Sequence, residues 1–176
     1  MDSRAQDRLD LILGRRSVRV YRPGDVSEET LRRMLEAAMS APSAVAKDPW
    51  RFVVLRSRAT LSRVADVLPN GGMLREAALG VIVCGDLEVA HDRQLSYLLQ
   101  DCSAAVENFL LAAHALGLGT CWLGIHPREE RIRQVSEILT LPPSVIPVSG
   151  IAVGWPGEDK EPRTRYHPAY VHHEKW

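Results

Sequence analysis

The chain has 176 residues, with 22 basic and 22 acidic side chains and a formal net charge of zero. A hydrophobic fraction of 45% at zero net charge excludes disorder as the main state, and the length fits one domain with a real core. Neutrality also argues against a general nucleic-acid binder, which needs a positive surplus against phosphate, but it leaves room for a local basic pocket.

The opening residues, MDSRAQDRLD, are charged and lack the apolar core of a secretory signal. The longest apolar runs, near Ala77–Cys84 and Phe109–Leu118, are too short to span a bilayer. Both features read as a cytoplasmic protein without a membrane partner. Leu9, Ile12 and Leu13 stand at helical spacing before Gly14, predicting a short first helix. A Tyr-Arg-Pro-Gly turn follows. Ser27 is an N-cap, with Glu28 and Glu29 favouring the positive end of a second helix whose apolar face is Leu31, Met34, Leu35 and Ala38. Pro42 stops it near Ser40.

Arg51–Leu55 reads as a strand, Leu61–Leu68 as a short helix, and residues 69–72 (Pro-Asn-Gly-Gly) as a loop. Leu79–Cys84 is a buried strand. The strongest helical pattern runs from Leu95 to Leu116, and its later turns are apolar nearly all round, so it is buried on more than one side. Gly117 and Gly119 end it. Thr120–Ile125 is a strand, Pro127 opens a helix carrying Ile132, Val135, Ile138 and Leu139, and Ile146–Val153 is the last strand. The segment from Trp155 to Trp176 carries three prolines and is expected to be extended. This order describes an α/β or α+β plan with helices on both faces of a central sheet.

Cys84, Cys102 and Cys121 are too widely spaced for a zinc site or a disulfide framework, and each lies in an apolar stretch. The six histidines do not cluster, and adjacent His172 and His173 point opposite ways on an extended tail; no metal site is expected. Gly117-Leu118-Gly119 lacks the third glycine of a dinucleotide fingerprint and follows a helix rather than a strand. Two arginine-rich elements remain, Arg15-Arg16-Ser17-Val18-Arg19 and Arg163-Thr164-Arg165. On composition alone they are solvated surface charge; their guanidinium forks and hydroxyl are also the donors that suit a phosphate.

Taken together, RRSVRVYRPG, APSA…PW, the long helix with Glu107-Asn108, LGLGTCWLG and EPRTRY…VH resemble the nitroreductase family of flavoproteins, in order over Arg15 to Trp176. The likeness is to its short members, without large helical insertions. It implies one α+β domain over residues 1–176, a mixed but mostly antiparallel sheet flanked by helices, and an intertwined homodimer with tightly but non-covalently bound FMN at the subunit interface. It also implies that the tail, residues 155–176, packs on the partner subunit, and that the second face of the long helix lies in the dimer core.

Carried over by position, the resemblance puts Arg15, Arg16, Ser17 and Arg19 around the FMN phosphate, ribityl chain and pyrimidine edge. Pro42, Ser43 and Ala44 match the loop that reaches the flavin from the other subunit. Leu123 and Gly124 match the segment over the hydride-accepting nitrogen, Arg163 and Arg165 the two basic phosphate holders, and Asn70 a polar contact to the pyrimidine. The chain departs from the family's PSxxNxQPW pattern, carrying Ala46 for the Asn and Asp48 for the Gln. Ala46 removes a hydrogen-bonding side chain, while Asp48 is expected to pair with Lys47 or Arg51 at the surface. Gly72 stands where some members carry a lysine.

The implied activity is that of an FMN-dependent oxidoreductase. NADH or NADPH gives a hydride and leaves, and a nitroaromatic, quinone or similar acceptor takes its place in the same pocket. The cofactor carries the chemistry, so no catalytic side chain is nominated; Trp122 and Tyr97 are expected to pack the core rather than line the pocket. The alternatives are a specialised flavoenzyme of dehalogenase or dehydrogenase type, and a non-enzymatic FMN-binding or dimeric interaction module.

Overall fold

The computed structural model describes residues 2–176, and the expected elements form within three residues of their sequence positions. Helix α1 is Ser3–Gly14 and α2 is Glu28–Met39; in α2 the Ser27 hydroxyl accepts from the Thr30 N–H at 3.1 Å, as an N-cap should. Strand β2 (Trp50–Leu55), helix α3 (Arg58–Val67) and strand β3 (Leu79–Asp86) follow. Next come the 21-residue α4 (Leu95–Ala115), β4 (Gly119–Gly124), α5 (Glu129–Leu139) and the 12-residue β5 (Val145–Pro156). Sequence reading took Tyr21-Arg22 for part of a turn. It is a two-residue strand, β1, paired with Trp155 and Pro156 of β5, and two residues are too few to show a period.

Every pairing between named strands is antiparallel. The parallel part of the expected mixed sheet is a single bridge, Ser17 to Thr120. The sheet runs β2-β3-β5, with β4 on the other edge of β5 and β1 at its far end. Alternation along β3 sends Leu79, Val81 and Val83 to one face and Ile82 and Cys84 to the other. On the first face they meet α2 and α4 through Met34, Phe109 and Leu98; on the second they meet α3 and α5 through Leu61, Val64 and Val135. The two buried clusters sandwich the sheet, so β4 and the loops at its ends are held rigidly from both sides.

All three cysteines are free and buried, and burial pushes the Cys84 and Cys102 thiols up to about 12. No helix among the described residues is long and apolar enough to cross a membrane. Beyond β5 the chain has one short helical turn at Pro168–Tyr170 and bends at residues 157–158 and 173–174, where Glu174 has a φ of 63°; Tyr166, Tyr170 and Trp176 are exposed to 72%, 79% and 101%. Helix α1 buries none of its residues, leaving Leu9, Ile12 and Leu13 in solvent.

Candidate functional site

Strand β4 builds the centre of the site. The segment 15–20 runs alongside its start in the parallel sense, where the Val18 N–H donates to the Thr120 carbonyl at 2.9 Å. Gly119 permits this approach, because a Cβ there would stand 2.8 Å from the Val18 side chain. A second segment, just after β5, clamps the first. Oε1 of Glu158 accepts from the Arg19 N–H at 2.6 Å, from the Val20 N–H at 3.3 Å and from Lys160 Nζ at 2.9 Å. Lys160 also donates to the Ser17 carbonyl at 2.8 Å, and Arg16 donates to the Glu161 carbonyl. The bond from Lys160 first, then the Arg19 N–H, holds the Glu158 carboxyl below the usual carboxylate range.

The clamp brings two arginine elements, more than 140 residues apart in sequence, to one cleft of about 510 Å³. Arg15, Arg16, Ser17, Arg19, Arg163 and Arg165 all line it, beside Ile12, Leu13, Lys160 and Thr164. Arg15 pairs with Glu107 at 3.3 Å, whereas no carboxylate of the described residues pairs with Arg19, Arg163 or Arg165. Cations brought together without acidic partners are a ready anion cradle.

Arg19 also lines a second cavity, of about 660 Å³. Asn70, Leu123 and Gly124 line this one, with Leu68, Pro69, Gly72, Met73, Cys121, Trp122 and Arg131. Beyond the Ser17 bridge, β4 pairs only with β5, so alternate N–H groups of Cys121 to Gly124 are directed away from the sheet. A Cβ on Gly124 would meet nothing within 4 Å, which leaves that part of the slot open. Trp122 is 38% exposed and Tyr97 39%; neither packs in the core as expected, and Trp122 is a wall of the slot. It projects from the edge strand between Cys121 and Leu123, whose side chains join the α3/α5 core.

Pro42, Ser43 and Ala44 lie apart from both cavities, in the loop between α2 and β2. Ser43 Oγ donates to Asp48 Oδ1 at 2.5 Å, and the Ala44 N–H donates to Asp101 Oδ1 at 2.9 Å. Asp48 therefore turns to Ser43 rather than to Lys47 or Arg51; Arg51 pairs with Asp86 at 3.3 Å and reaches only the Asp48 carbonyl. Val45, Ala46 and Asp48 hold left-handed φ values of 53°, 52° and 50°, conformations that cost L-residues free energy and persist only where surroundings impose them.

Sequence reading passed over Asp101, Glu158, Lys160 and Arg131. Asp101 carried a signal: it sits at the i+3 position from Leu98 on the apolar face of α4 and is 5% exposed. The other three are charged residues among many, and only the fold distinguishes them.

A site made of a cationic cleft joined to a slot with aromatic, apolar and backbone walls fits a planar ring bearing an anionic tail. The comparisons agree with that class. The model of the Nitroreductase family matches residues 12–70 and 62–155. The chain is 41% identical over 170 residues to a protein of Methanothermobacter thermautotrophicus named "Putative NADH dehydrogenase/NAD(P)H nitroreductase", spanning 97% of this chain and 88% of that one. A crystal structure of the same printed name from Parabacteroides distasonis superposes with a TM-score of 0.91 at 36% identity, over 97% of this chain and 99% of that one. Another, a "putative nitroreductase in complex with fmn" from Desulfovibrio desulfuricans, gives 0.82 at 33% identity over 96% of each chain. The chain belongs to the nitroreductase family.

Proposed function

We propose that this chain is an NAD(P)H-dependent FMN oxidoreductase that works as a homodimer and passes electrons to nitroaromatics, quinones or similar small acceptors. The observation that carries the reading is the meeting of the two cavities at Arg19: on one side a cleft where Arg163, Arg165 and Arg19 have no carboxylate partner among the described residues, on the other a slot floored by β4. Those dimensions and donors suit FMN. The related structure solved with FMN and the relative named for NAD(P)H support the same assignment.

Arg163, Arg165, Arg15, Arg16 and Ser17 would hold the phosphate and ribityl oxygens. Arg19 would face the pyrimidine edge, where a fixed positive charge raises the reduction potential, and Asn70 would supply a polar contact beside it. Leu123 and Gly124 would offer a backbone N–H to the reacting edge of the ring. Pro42, Ser43 and Ala44, remote from the cleft of their own chain, would reach the site of a second copy. When bound, FMN supplies the two-electron step that couples oxidation of NAD(P)H to reduction of the acceptor. With a quinone the balance is NAD(P)H + H⁺ + quinone → NAD(P)⁺ + hydroquinone. The chain's own part is to hold, orient and polarise; no side chain of the slot need move a proton between carbon atoms.

One slot serving both substrates in turn predicts ping-pong kinetics. Initial rates with NADH and menadione, plotted as reciprocals, are expected to give parallel lines. Intersecting lines would contradict shared use of the slot.

A further inference from the structure

One charged group in the slot has no part in holding a flavin as assigned above. Arg131, in the first turn of α5, lines the same cavity as Trp122, Met73 and Gly124. Its Nη1 donates to the Gly124 carbonyl at 2.9 Å, which fixes the guanidinium beside the end of β4. That bond uses one of five N–H donors. No carboxylate of the described residues lies within ion-pair distance of Arg131; the nearby Glu130 is engaged by Arg133 at 2.6 Å. The lining of the slot contains no acidic side chain at all, so its two charges, Arg19 and Arg131, are both positive.

We infer that Arg131 is a specificity-determining residue, which reads an anionic oxygen group on the planar substrate entering the slot and favours carboxylated electron acceptors over neutral ones of the same shape. The inference rests on the flavin reading. A guanidinium anchored by one bond keeps its remaining donors at little entropic cost, and its planar fork matches a carboxylate. Trp122 and Met73 beside it offer a face for the ring, and the absence of any acidic lining residue leaves the guanidinium without a competing partner. The same donors would suit a phosphate of the nicotinamide dinucleotide, a second source of the same chemistry.

The test compares Arg131→Gln, Arg131→Lys and wild type at fixed ionic strength, with 4-nitrobenzoate, 4-nitrobenzamide, NADH and NADPH. In a ping-pong scheme each kcat/KM reports its own half-reaction, and the variant-to-wild-type ratio cancels the intrinsic reactivity of each compound. Arg131→Gln is expected to lower kcat/KM for 4-nitrobenzoate about tenfold, the size of one charge-assisted bond partly screened, and for 4-nitrobenzamide less than twofold. Arg131→Lys, which keeps the charge and loses the fork, should fall between.

In wild type, benzoate should inhibit at lower concentration than benzamide. This comparison stands even if a variant fails to fold. A loss confined to NADH and NADPH would keep Arg131 as the anion reader but overturn the acceptor assignment. Equal losses on all four substrates, no loss on any, or equal inhibition by benzoate and benzamide would overturn the proposal. Flavin absorbance of the same preparations separates this from failure of the underlying reading: a protein that takes up no FMN defeats both, whereas a yellow, active protein indifferent to Arg131 defeats this inference alone.

Discussion

Arg163 and Arg165 show how far single residues can be read before a fold is known. As letters they are surface charge in a polar tail. They become notable only beside Arg15 and Arg16, and that neighbourhood is created by pairing between segments 140 residues distant. Their expected role makes a selective prediction. Arg163→Ala and Arg165→Ala should each weaken FMN binding roughly tenfold to a hundredfold, the worth of a charged hydrogen bond. Binding of riboflavin, which has no phosphate, should stay within twofold. Titrations of flavin fluorescence measure both; equal losses for the two ligands would remove these arginines from the phosphate. Arg131 and Trp122 were illegible for another reason. Nothing in their sequence neighbourhood separates a wall of a slot from a helix surface or a core strand, and their role depends on which edge of the sheet β4 occupies.

At the scale of elements, periodicity served well where segments were long. Helix α4 and strands β3 and β5 declared themselves through six or more patterned residues, whereas β1, with two, could not. The clamp after β5 was equally hidden, since Glu158, Lys160 and Glu161 read as ordinary polar tail. Their bonds nevertheless set the path of the arginine segment, so Glu158→Ala is expected to weaken FMN binding about fivefold through lost positioning. Glu158→Gln, which keeps the accepting oxygen, should lose less.

The pH dependence follows from the lowered carboxyl. The native state holds Glu158 ionised more readily than the unfolded chain does, so its contribution is complete above the ordinary carboxylate value of 4.5 and is lost as pH falls through the lower native value. Wild type should therefore release FMN more readily below about pH 4.5, and the Glu158→Ala variant should show a shallower dependence there. Parallel pH curves for the two proteins would deny the clamp its role.

As a whole molecule the single chain leaves surfaces unfinished. The apolar stripe of α1, the aromatic tail and the strained loop at residues 43–48 each face solvent. A second copy would cover all three, and the strain of Val45, Ala46 and Asp48 would then be imposed by a loop built to reach across. The account predicts a particle of about 39 kDa in sedimentation velocity, twice the chain's 19.6 kDa. Removing residues 167–176, which spares Arg163 and Arg165, should raise the dimer dissociation constant at least tenfold. A monomer that keeps its FMN, or a truncated chain that dimerises as tightly, would refute the arrangement. At this level the sequence offers only what the resemblance implies, because the five motifs fall in family order; which residues would meet across an interface depends on a second chain.

The most direct measurement is the absorbance spectrum of the purified, dialysed protein before and after anaerobic addition of NADH, repeated with NADPH. The account predicts retained flavin bands that bleach with one of the two donors and return when menadione is added. A colourless protein that gains no flavin bands from added FMN, or bands that neither donor bleaches, would contradict it.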